Sequence, residues 1–286
     1  MKKPRKRLQV KELPVAKNPF ELRQSKDAGR ERKPRVHVYG QAVRCRTDVG
    51  GHATPQGRSP FEIVVDASEG FIPLWAIDTT LRWRFQPLSV ALFQDFEAAK
   101  AEIRKLLAEA LLAWGDAMPV KFAEREDVWD FEITVRNADD CDINGCVLAS
   151  AFFPDAGRHE LVIYPKMLTQ KRKEQIDTLI HEIGHIFGLR HFFAQVSETA
   201  WPSEVFGTHK PFSIMNYGGQ SELTDYDRSD LRRLYQSAWS GELTHINGTL
   251  IRLVRPFSAG EISQTTIMVS RQRQAHRHSR RLRNET

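Results

Sequence analysis

The segment HEIGHIFGLRH, residues 181–191, decides how this chain folds and which chemistry it can support. Two of its histidines, His181 and His185, lie four residues apart on a predicted helix, so both side chains project from one face and can bind one metal ion. Gly188 lets the chain turn sharply, because glycine readily takes the left-handed conformation that ends a helix. Beyond this turn, His191 can supply a third nitrogen ligand.

This set of ligands predicts a catalytic zinc site rather than a structural one. Three imidazoles leave a fourth zinc position open to water, whereas structural sites use four protein ligands. Glu182 follows His181 directly and cannot face the ion in the same way. We expect it to hold the water and to take its proton as a general base. The competing interpretation, ordinary histidines on an amphipathic helix, requires five fixed positions to match by chance.

The remaining pattern predicts strands and helices in one domain. The segment LWAIDTTLRWRF, residues 74–85, alternates like a single strand, and further strands are expected within residues 120–137, 146–154 and 159–165. A helix within residues 96–117 buries one face, formed by Ala99, Ile103, Leu106, Ala110 and Trp114. The zinc-site helix within residues 170–188 and a last helix at 225–239, capped by Thr224, complete the set.

These motifs resemble those of the metzincin zinc metalloproteases, in which H-E-x-x-H-x-x-G-x-x-H is followed by a Met-turn. The segment SIMNYG, residues 213–218, is similar to that turn. The resemblance implies that Met215 forms a hydrophobic base beneath the zinc. It also implies that Tyr217, as in astacin-like and serralysin-like members, approaches the zinc and can stabilise the oxyanion. The alternative is that the Tyr217 hydroxyl makes only a local hydrogen bond.

Three other segments resemble matrixins, a branch of the metzincins: residues 111–124, 146–157 and 223–235. In the last of them, Asp227 falls where a buried aspartate braces the Met-turn. The implied fold is an α+β zincin/metzincin catalytic domain, with a mixed twisted sheet of about five strands, an active-site helix and a C-terminal helix. An extended substrate would add along the edge strand near residues 147–153.

The resemblance also has departures. Phe192 follows the third histidine, where matrixins usually have serine, and Ser150 replaces a histidine that helps bind a second, structural zinc. His159 alone cannot hold that metal, so one catalytic Zn²⁺ is expected and no structural zinc. Oxygen ligands alternate along a loop like those of many calcium sites, which makes Ca²⁺ a second candidate ion and an ordinary polar turn the alternative. The loop residues concerned are Asp140, Asp142 and Asn144.

The chain divides by composition into three parts. Residues 1–71 form a basic, loosely structured leader or pro-segment, 72–240 the metzincin-like zinc peptidase domain, and 241–286 a C-terminal extension with a basic tail expected to be disordered. In the leader, Cys45 lies in VRCRTD, which resembles the matrixin PRCGxPD latency motif without its proline and glycine. Its thiolate would occupy the fourth zinc position; the alternative is a free thiol.

Charge and composition limit the partners and the compartment. The net charge is +6, and much of it lies at the two ends, which are expected to be solvated. The alternative is a protein that binds nucleic acid or an anionic surface through these ends, although no nucleic-acid motif is present. Protein or peptide substrates and a monomer are expected. No apolar run of about 18 residues predicts a membrane span. No signal peptide is visible, so the chain is expected to be cytoplasmic or exported by a non-Sec route, although the resemblance favours an extracellular location. Cys141 and Cys146 could pair in an oxidising compartment.

Taken together, the pattern and the resemblance predict a zinc-dependent metalloendopeptidase with Glu182 as its general base. The alternative is a catalytically silent zinc-binding interaction module. The intact Glu182 favours the enzyme, because a module that only binds zinc has no need of a base beside it.

Overall fold

The computed structural model describes residues 18–23, 43–44, 63–66, 70–142, 145–191, 203–206, 213–215 and 221–260. Its strands are β1 (Val43–Arg44), β2 (Ile63–Asp66), β3 (Ile72–Trp75), β4 (Thr80–Phe85), β5 (Lys121–Glu124), β6 (Phe131–Val135), β7 (Asp140–Asp142), β8 (Gly145–Val147), β9 (Ala149–Ser150), β10 (His159–Ile163), β11 (Ser203–Phe206), β12 (His245–Ile246) and β13 (Thr249–Val254). Its α-helices are α1 (Pro87–Val90), α2 (Phe96–Trp114), α3 (Pro165–Leu168), α4 (Arg172–Ile186) and α5 (Asp225–Ser240).

The main sheet has five strands in the order β5-β4-β6-β10-β9. The first four are mutually parallel, and β9 pairs antiparallel with β10 at the edge. This mixed sheet, together with the helices, confirms the predicted α+β fold with a sheet of about five strands. The inward-facing side chains of β6 and β10 are fully buried, as expected for parallel strands covered by helices.

Helix α2 begins at Asp95, whose carboxylate accepts a hydrogen bond from the Ala98 amide at 2.9 Å. Its five predicted core residues are all buried, which confirms the helical periodicity. At its C-terminal end, the indole of Trp114 donates to the Ile180 carbonyl of α4 at 3.1 Å. The two long helices are thereby joined directly before the first of the histidines, His181.

The single strand predicted from LWAIDTTLRWRF is wrong, because two strands separated by a turn occupy this segment. Strand β3 ends at Trp75 and β4 starts at Thr80. Between them, Asp78 takes a positive φ of 59°, and the Thr79 hydroxyl donates to the Ala76 carbonyl at 2.6 Å. Aspartate tolerates this left-handed conformation better than most residues, so the turn can interrupt an alternating pattern without a glycine.

Strands from both ends of the sequence pair with the central part. Strand β13 pairs in parallel with β3, β1 pairs in parallel with β8, and β2 pairs antiparallel with β11. The Asp130 carboxylate, buried near β6, accepts hydrogen bonds from the amide and hydroxyl of Ser258 at 2.7 and 3.0 Å. These contacts join residues that lie on opposite sides of the predicted boundaries at residues 71 and 240. The division into leader, peptidase domain and extension stays a prediction.

None of the helices within the described residues combines the length and the apolar character needed to cross a membrane.

Candidate metal centre

Helix α4 carries the first two histidines and holds them one turn apart. Near its start, the Glu174 side chain accepts a hydrogen bond from the Lys171 amide at 3.2 Å, as the acid of a capping box does. The helix ends at Ile186, and Gly188 takes a φ of +90°. This is a conformation that side-chain-bearing residues rarely adopt, so the glycine turns the chain back toward the site.

The structure brings the three histidines together in the interior. The Nε2 atom of His181 lies 3.0 Å from Nε2 of His191 and 3.1 Å from Nε2 of His185. All three side chains are buried. Within the described part of the chain, they are the one group of three or more His, Cys, Asp or Glu side chains whose ligating atoms lie within 4.8 Å of one another.

The tautomers of two rings follow from their hydrogen bonds. Nδ1 of His181 lies 2.7 Å from the carbonyl of Ile214, and Nδ1 of His185 lies 2.7 Å from the carbonyl of Leu189. A carbonyl oxygen can only accept, so each Nδ1 carries the hydrogen and each Nε2 presents its lone pair. Lone pairs facing each other at about 3 Å repel unless a cation lies between them.

The arrangement therefore fits a zinc ion. Two imidazoles on one tetrahedral zinc, with zinc–nitrogen distances of about 2.0–2.1 Å, have their nitrogens about 3.3 Å apart, close to the observed spacing. Carbonyl acceptors behind Nδ1 are also the partners that orient metal-binding histidines in proteins. The three residues could accordingly hold zinc, with His181 and His185 already in the tautomer that ligation by Nε2 requires.

Glu182 lies on the same helix and is 1% exposed. Consecutive residues of an α-helix point about 100° apart, so Glu182 occupies a different side of α4 from His181. A buried carboxylate requires compensating interactions, and burial at this position is unusual for a glutamate with no role in folding or chemistry.

The segment of Ser213–Met215 packs directly beneath the histidines. Met215 is buried, and its amide donates to the Ser213 hydroxyl at 3.1 Å. A Cβ added at Gly184 would overlap the sulfur of Met215 and lie 3.2 Å from its Cε. The methionine thus lies against the helix between the two histidines, while the neighbouring Ile214 carbonyl orients His181.

Several sequence-predicted site residues lie outside the described residues: Tyr217, Cys45 and Asn144. The two remaining residues of the predicted calcium loop, Asp140 and Asp142, lie on strand β7. That strand forms a hairpin with β8, which the Cys141–Cys146 disulfide links across.

Two residues discussed in connection with the matrixin resemblance, Asp227 and His159, have well-defined partners. Asp227 is buried and caps α5, since its carboxylate accepts from the Thr224 amide at 2.8 Å and from the Thr224 hydroxyl at 2.7 Å. His159 stacks on Phe152 with ring centroids 4.5 Å apart. Burial lowers the pKa of His159, although Asp155 acts in the opposite direction.

Sequence reasoning missed two aromatic residues that support the end of α4. The Trp75 indole donates to the Ile186 carbonyl at 2.7 Å, and the Tyr235 hydroxyl donates to the Phe187 carbonyl at 3.0 Å. Burial raises the pKa of Tyr235 well above its ordinary value, so the hydroxyl keeps its proton. A signal was available, because a tryptophan or tyrosine on a buried face requires a hydrogen-bond partner.

A third overlooked residue is Arg190, next to His191. It is among the largest side chains that are almost completely buried, and its guanidinium carbon lies 6.0 Å from the centre of the Phe153 ring. Phe153 in turn meets the ring of His185 edge-on, with centroids 5.5 Å apart. Phe153, which follows strand β9, therefore borders the ring of His185, while Met215 packs against Gly184 of the same helix.

Comparisons with known proteins agree with this geometry. A family model described as Matrixin matches residues 75–198. Stromelysin-3 of Homo sapiens is 30% identical over 122 residues, which are 38% of this chain and 25% of that protein. Stromelysin-3 of Rattus norvegicus is 27% identical over 165 residues, 54% of this chain and 31% of that protein. The chain thus spans about a quarter to a third of the length of these curated relatives.

Proposed function

This chain contains a matrixin-like metzincin domain, and from that premise we propose that it is a zinc-dependent metalloendopeptidase. The observation that carries the proposal is the meeting of three buried imidazoles, two of them with Nδ1 on backbone carbonyls. We propose His181, His185 and His191 as the zinc ligands. Protein or peptide substrates follow from the peptidase family.

The proposed mechanism assigns proton transfer to Glu182. Zinc bound by the three nitrogens would polarise the scissile carbonyl and lower the pKa of water to about 7. The Glu182 carboxylate accepts a proton from the attacking water and later delivers it to the nitrogen of the leaving amine. Because Glu182 and His181 are consecutive residues of one helix, α4 fixes the base relative to the ligands.

Replacing the Glu182 carboxylate distinguishes an enzyme from a catalytically silent zinc-binding module. We expect Glu182→Gln to lower cleavage of casein by the zinc-loaded protein at least about 100-fold, the size typical of lost general base catalysis. Zinc content by metal analysis should remain one ion per chain in both proteins. Equal inactivity of the wild type and the variant, with zinc bound, would favour the silent module.

We also propose that Tyr217 stabilises the oxyanion that forms on the substrate, with Met215 as the support beneath the histidines. The burial of Met215 against Gly184 supports the second role. The first role rests on the resemblance. Tyr217→Phe should then lower kcat with little change in KM, because a donor to a developing charge acts mainly in the transition state.

The edge of the main sheet supports a mode of substrate binding. Strand β9 is the edge strand, and Leu148 just before it accepts from the Tyr164 amide at 2.9 Å on its inner side. Val147 already pairs with Arg44 and Asp140, so we propose that an extended peptide pairs with the outer side of residues 148–153, in the manner of β-strand addition. Such binding uses mainly backbone hydrogen bonds and favours unfolded or extended segments.

A latency role for Cys45 stays a proposal. It is supported by the pairing of Val43–Arg44, directly before it, with Cys146–Val147, close to the proposed substrate edge. The Cys45 thiolate would be a ligand for zinc. Full-length Cys45→Ser should cleave casein faster than the wild type, and equal rates would mean that the thiol does not restrain the enzyme.

A calcium site at Asp140, Asp142 and Asn144 is also a proposal. Alternate residues of a strand share one face, which supports a common role for Asp140 and Asp142 on β7. Calcium should then raise the melting temperature of the wild type more than that of Asp142→Asn. The Cys141–Cys146 disulfide supports export to an oxidising compartment.

A further inference from the structure

Three aromatic side chains hold the turn between the second and third histidines. We call Trp75, Tyr235 and Trp239 the aromatic clasp. Trp75 donates from its indole to the Ile186 carbonyl, and Tyr235 donates from its hydroxyl to the Phe187 carbonyl. The last four carbonyls of an α-helix have no donor within the helix, so the clasp supplies partners at the point where α4 ends.

The members of the clasp also hold one another. The Tyr235 hydroxyl accepts from the Trp75 amide at 3.3 Å, and the Trp239 indole donates to the Trp75 carbonyl at 2.9 Å. The rings of Tyr235 and Trp239 lie 5.2 Å apart between centroids. Since Trp75 ends β3 and the other two lie on α5, the clasp ties one strand and one helix to the end of α4.

The end of α4 leads directly into the metal centre. After Phe187, the chain reverses at Gly188, and the Leu189 carbonyl orients His185. His191 is only four residues beyond Phe187. A shift of the Phe187 carbonyl would therefore move His191, the third proposed ligand. It would also move the Leu189 carbonyl, which sets the tautomer of His185.

We propose that Tyr235 is a positioning residue for metal binding, whose hydroxyl fixes the Phe187–Gly188 turn and so places His191 beside His181 and His185. The inference rests on the proposed zinc site. Tyr235 is 1% exposed, and it acts through the turn without contact to the ion. Residues of this kind typically change metal affinity by 10- to 100-fold.

The test is zinc affinity in Tyr235→Phe, which removes the hydroxyl and keeps the ring. Full-length metal-free protein is titrated with zinc against a chromogenic chelator, and melting temperatures are recorded with and without zinc. We expect a dissociation constant about 10-fold larger than that of the wild type. The rise in melting temperature on adding zinc should also be smaller, because weaker binding stabilises the folded state less.

The matched control is Thr79→Val. Its hydroxyl also donates from a buried position to a backbone carbonyl, that of Ala76, in a turn that does not lead to a ligand. This variant should lose stability equally with and without zinc and keep the affinity of the wild type. Tyr235→Phe behaving in the same way would overturn the inference and leave the proposed enzyme intact.

The remaining outcomes are also decisive. If Tyr235→Phe does not fold, Trp239→Phe takes its place, because it removes the bond to the Trp75 carbonyl one step further from the turn. It should weaken zinc binding roughly two- to threefold, as expected for a single neutral hydrogen bond, and an unchanged affinity would overturn the inference. A wild-type protein that binds no zinc would overturn the proposed function and this inference together.

Discussion

Met215 packs closely against helix α4 at Gly184. A Cβ there would overlap the methionine sulfur and lie 3.5 Å from the Trp114 ring. Glycine in a helix interior costs about 1 kcal/mol relative to alanine. Its presence between His181 and His185 is therefore explained by close packing against Met215, which outweighs helix propensity.

Replacing this glycine by alanine should destabilise the protein, whereas the same replacement at an exposed helical position usually stabilises it. We expect Gly184→Ala to lower the free energy of unfolding by about 1–3 kcal/mol, the usual cost of overpacking a core, measured by urea denaturation of the metal-free protein. In a Met215→Ala background, the same substitution should instead be neutral or stabilising. A stabilised Gly184→Ala single variant would contradict the close packing of Met215 on the helix.

At the residue scale, spacing alone predicted which side chains meet, and tertiary contacts supplied the rest. Histidines four apart on a helix project from one face, so His181 and His185 lie together whatever surrounds them. The carbonyl partners could not be predicted in this way, because Ile214 lies in a separate segment of the chain. For Tyr235, helical periodicity indicates a buried face but not which carbonyl the hydroxyl reaches.

Helices α2 and α4 are joined by ion pairs as well as by apolar packing. Arg172, the first residue of α4, contacts the carboxylates of Glu102 and Glu109 on α2. A cation at a helix N-terminus interacts unfavourably with the helix dipole, and the two acids offset this. The hydrogen bond from Arg172 is the largest cause that lowers the pKa of Glu102 below its ordinary value.

The contribution of this pair should depend on pH in a defined direction. A lowered carboxyl pKa means that the stabilisation is complete above the ordinary value of 4.5 and is lost as the pH falls through the lowered one. Arg172 is 45% exposed, so screening limits the effect of Arg172→Met at neutral pH to about 1 kcal/mol or less. Urea unfolding should show this difference shrinking below about pH 4.5.

Lys173→Met is the matched control. It removes a neighbouring cation whose partner, Asp177, lies on the same helix at 2.6 Å. Any general effect of lost positive charge at the start of α4 will appear in both variants. If the loss of unfolding free energy depends on pH equally in Arg172→Met and Lys173→Met, the ion pairs between α4 and α2 contribute nothing to stability.

At the element scale, long periodic segments were predicted well and short strands less well. Helix α2 has five turns of consistent periodicity, and all five predicted core positions are buried. The alternating segment 74–85 was predicted as a single strand because its alternation continues across the turn at Asp78. In addition, the partner of β3 is β13, a strand from the C-terminal part of the chain. Nothing local indicates that β3 belongs to a different sheet from β4.

At the scale of the whole molecule, strand β2 connects residues 63–66, which belong to the predicted leader, to the candidate metal centre. It pairs with β11, and its Val65 is fully buried and bridged to Leu189. The Leu189 carbonyl in turn orients His185. The part of the predicted leader nearest the predicted domain boundary therefore contacts the segment that carries the proposed ligands.

Two truncations test where a removable leader can end. A protein lacking residues 1–59 keeps β2 and should bind zinc like the full chain. A protein lacking residues 1–67 loses β2, and its affinity should fall about 10-fold or more, as for other losses of support around a metal ligand. Chelator competition, with circular dichroism as a check on folding, measures both. Equal affinities would show that the unit starting near residue 72 is self-sufficient.

The pairing of β13 with β3 has a consequence for biosynthesis. Strand β3 is translated early and contributes Trp75 to the support of α4, but its sheet partner ends at Val254. The nascent chain therefore carries an unpaired, fully apolar strand until the ribosome has made most of the described residues. Contacts so distant in sequence form slowly and expose apolar edges in the meantime, so a newly made molecule should depend on chaperones until its C-terminal strand emerges.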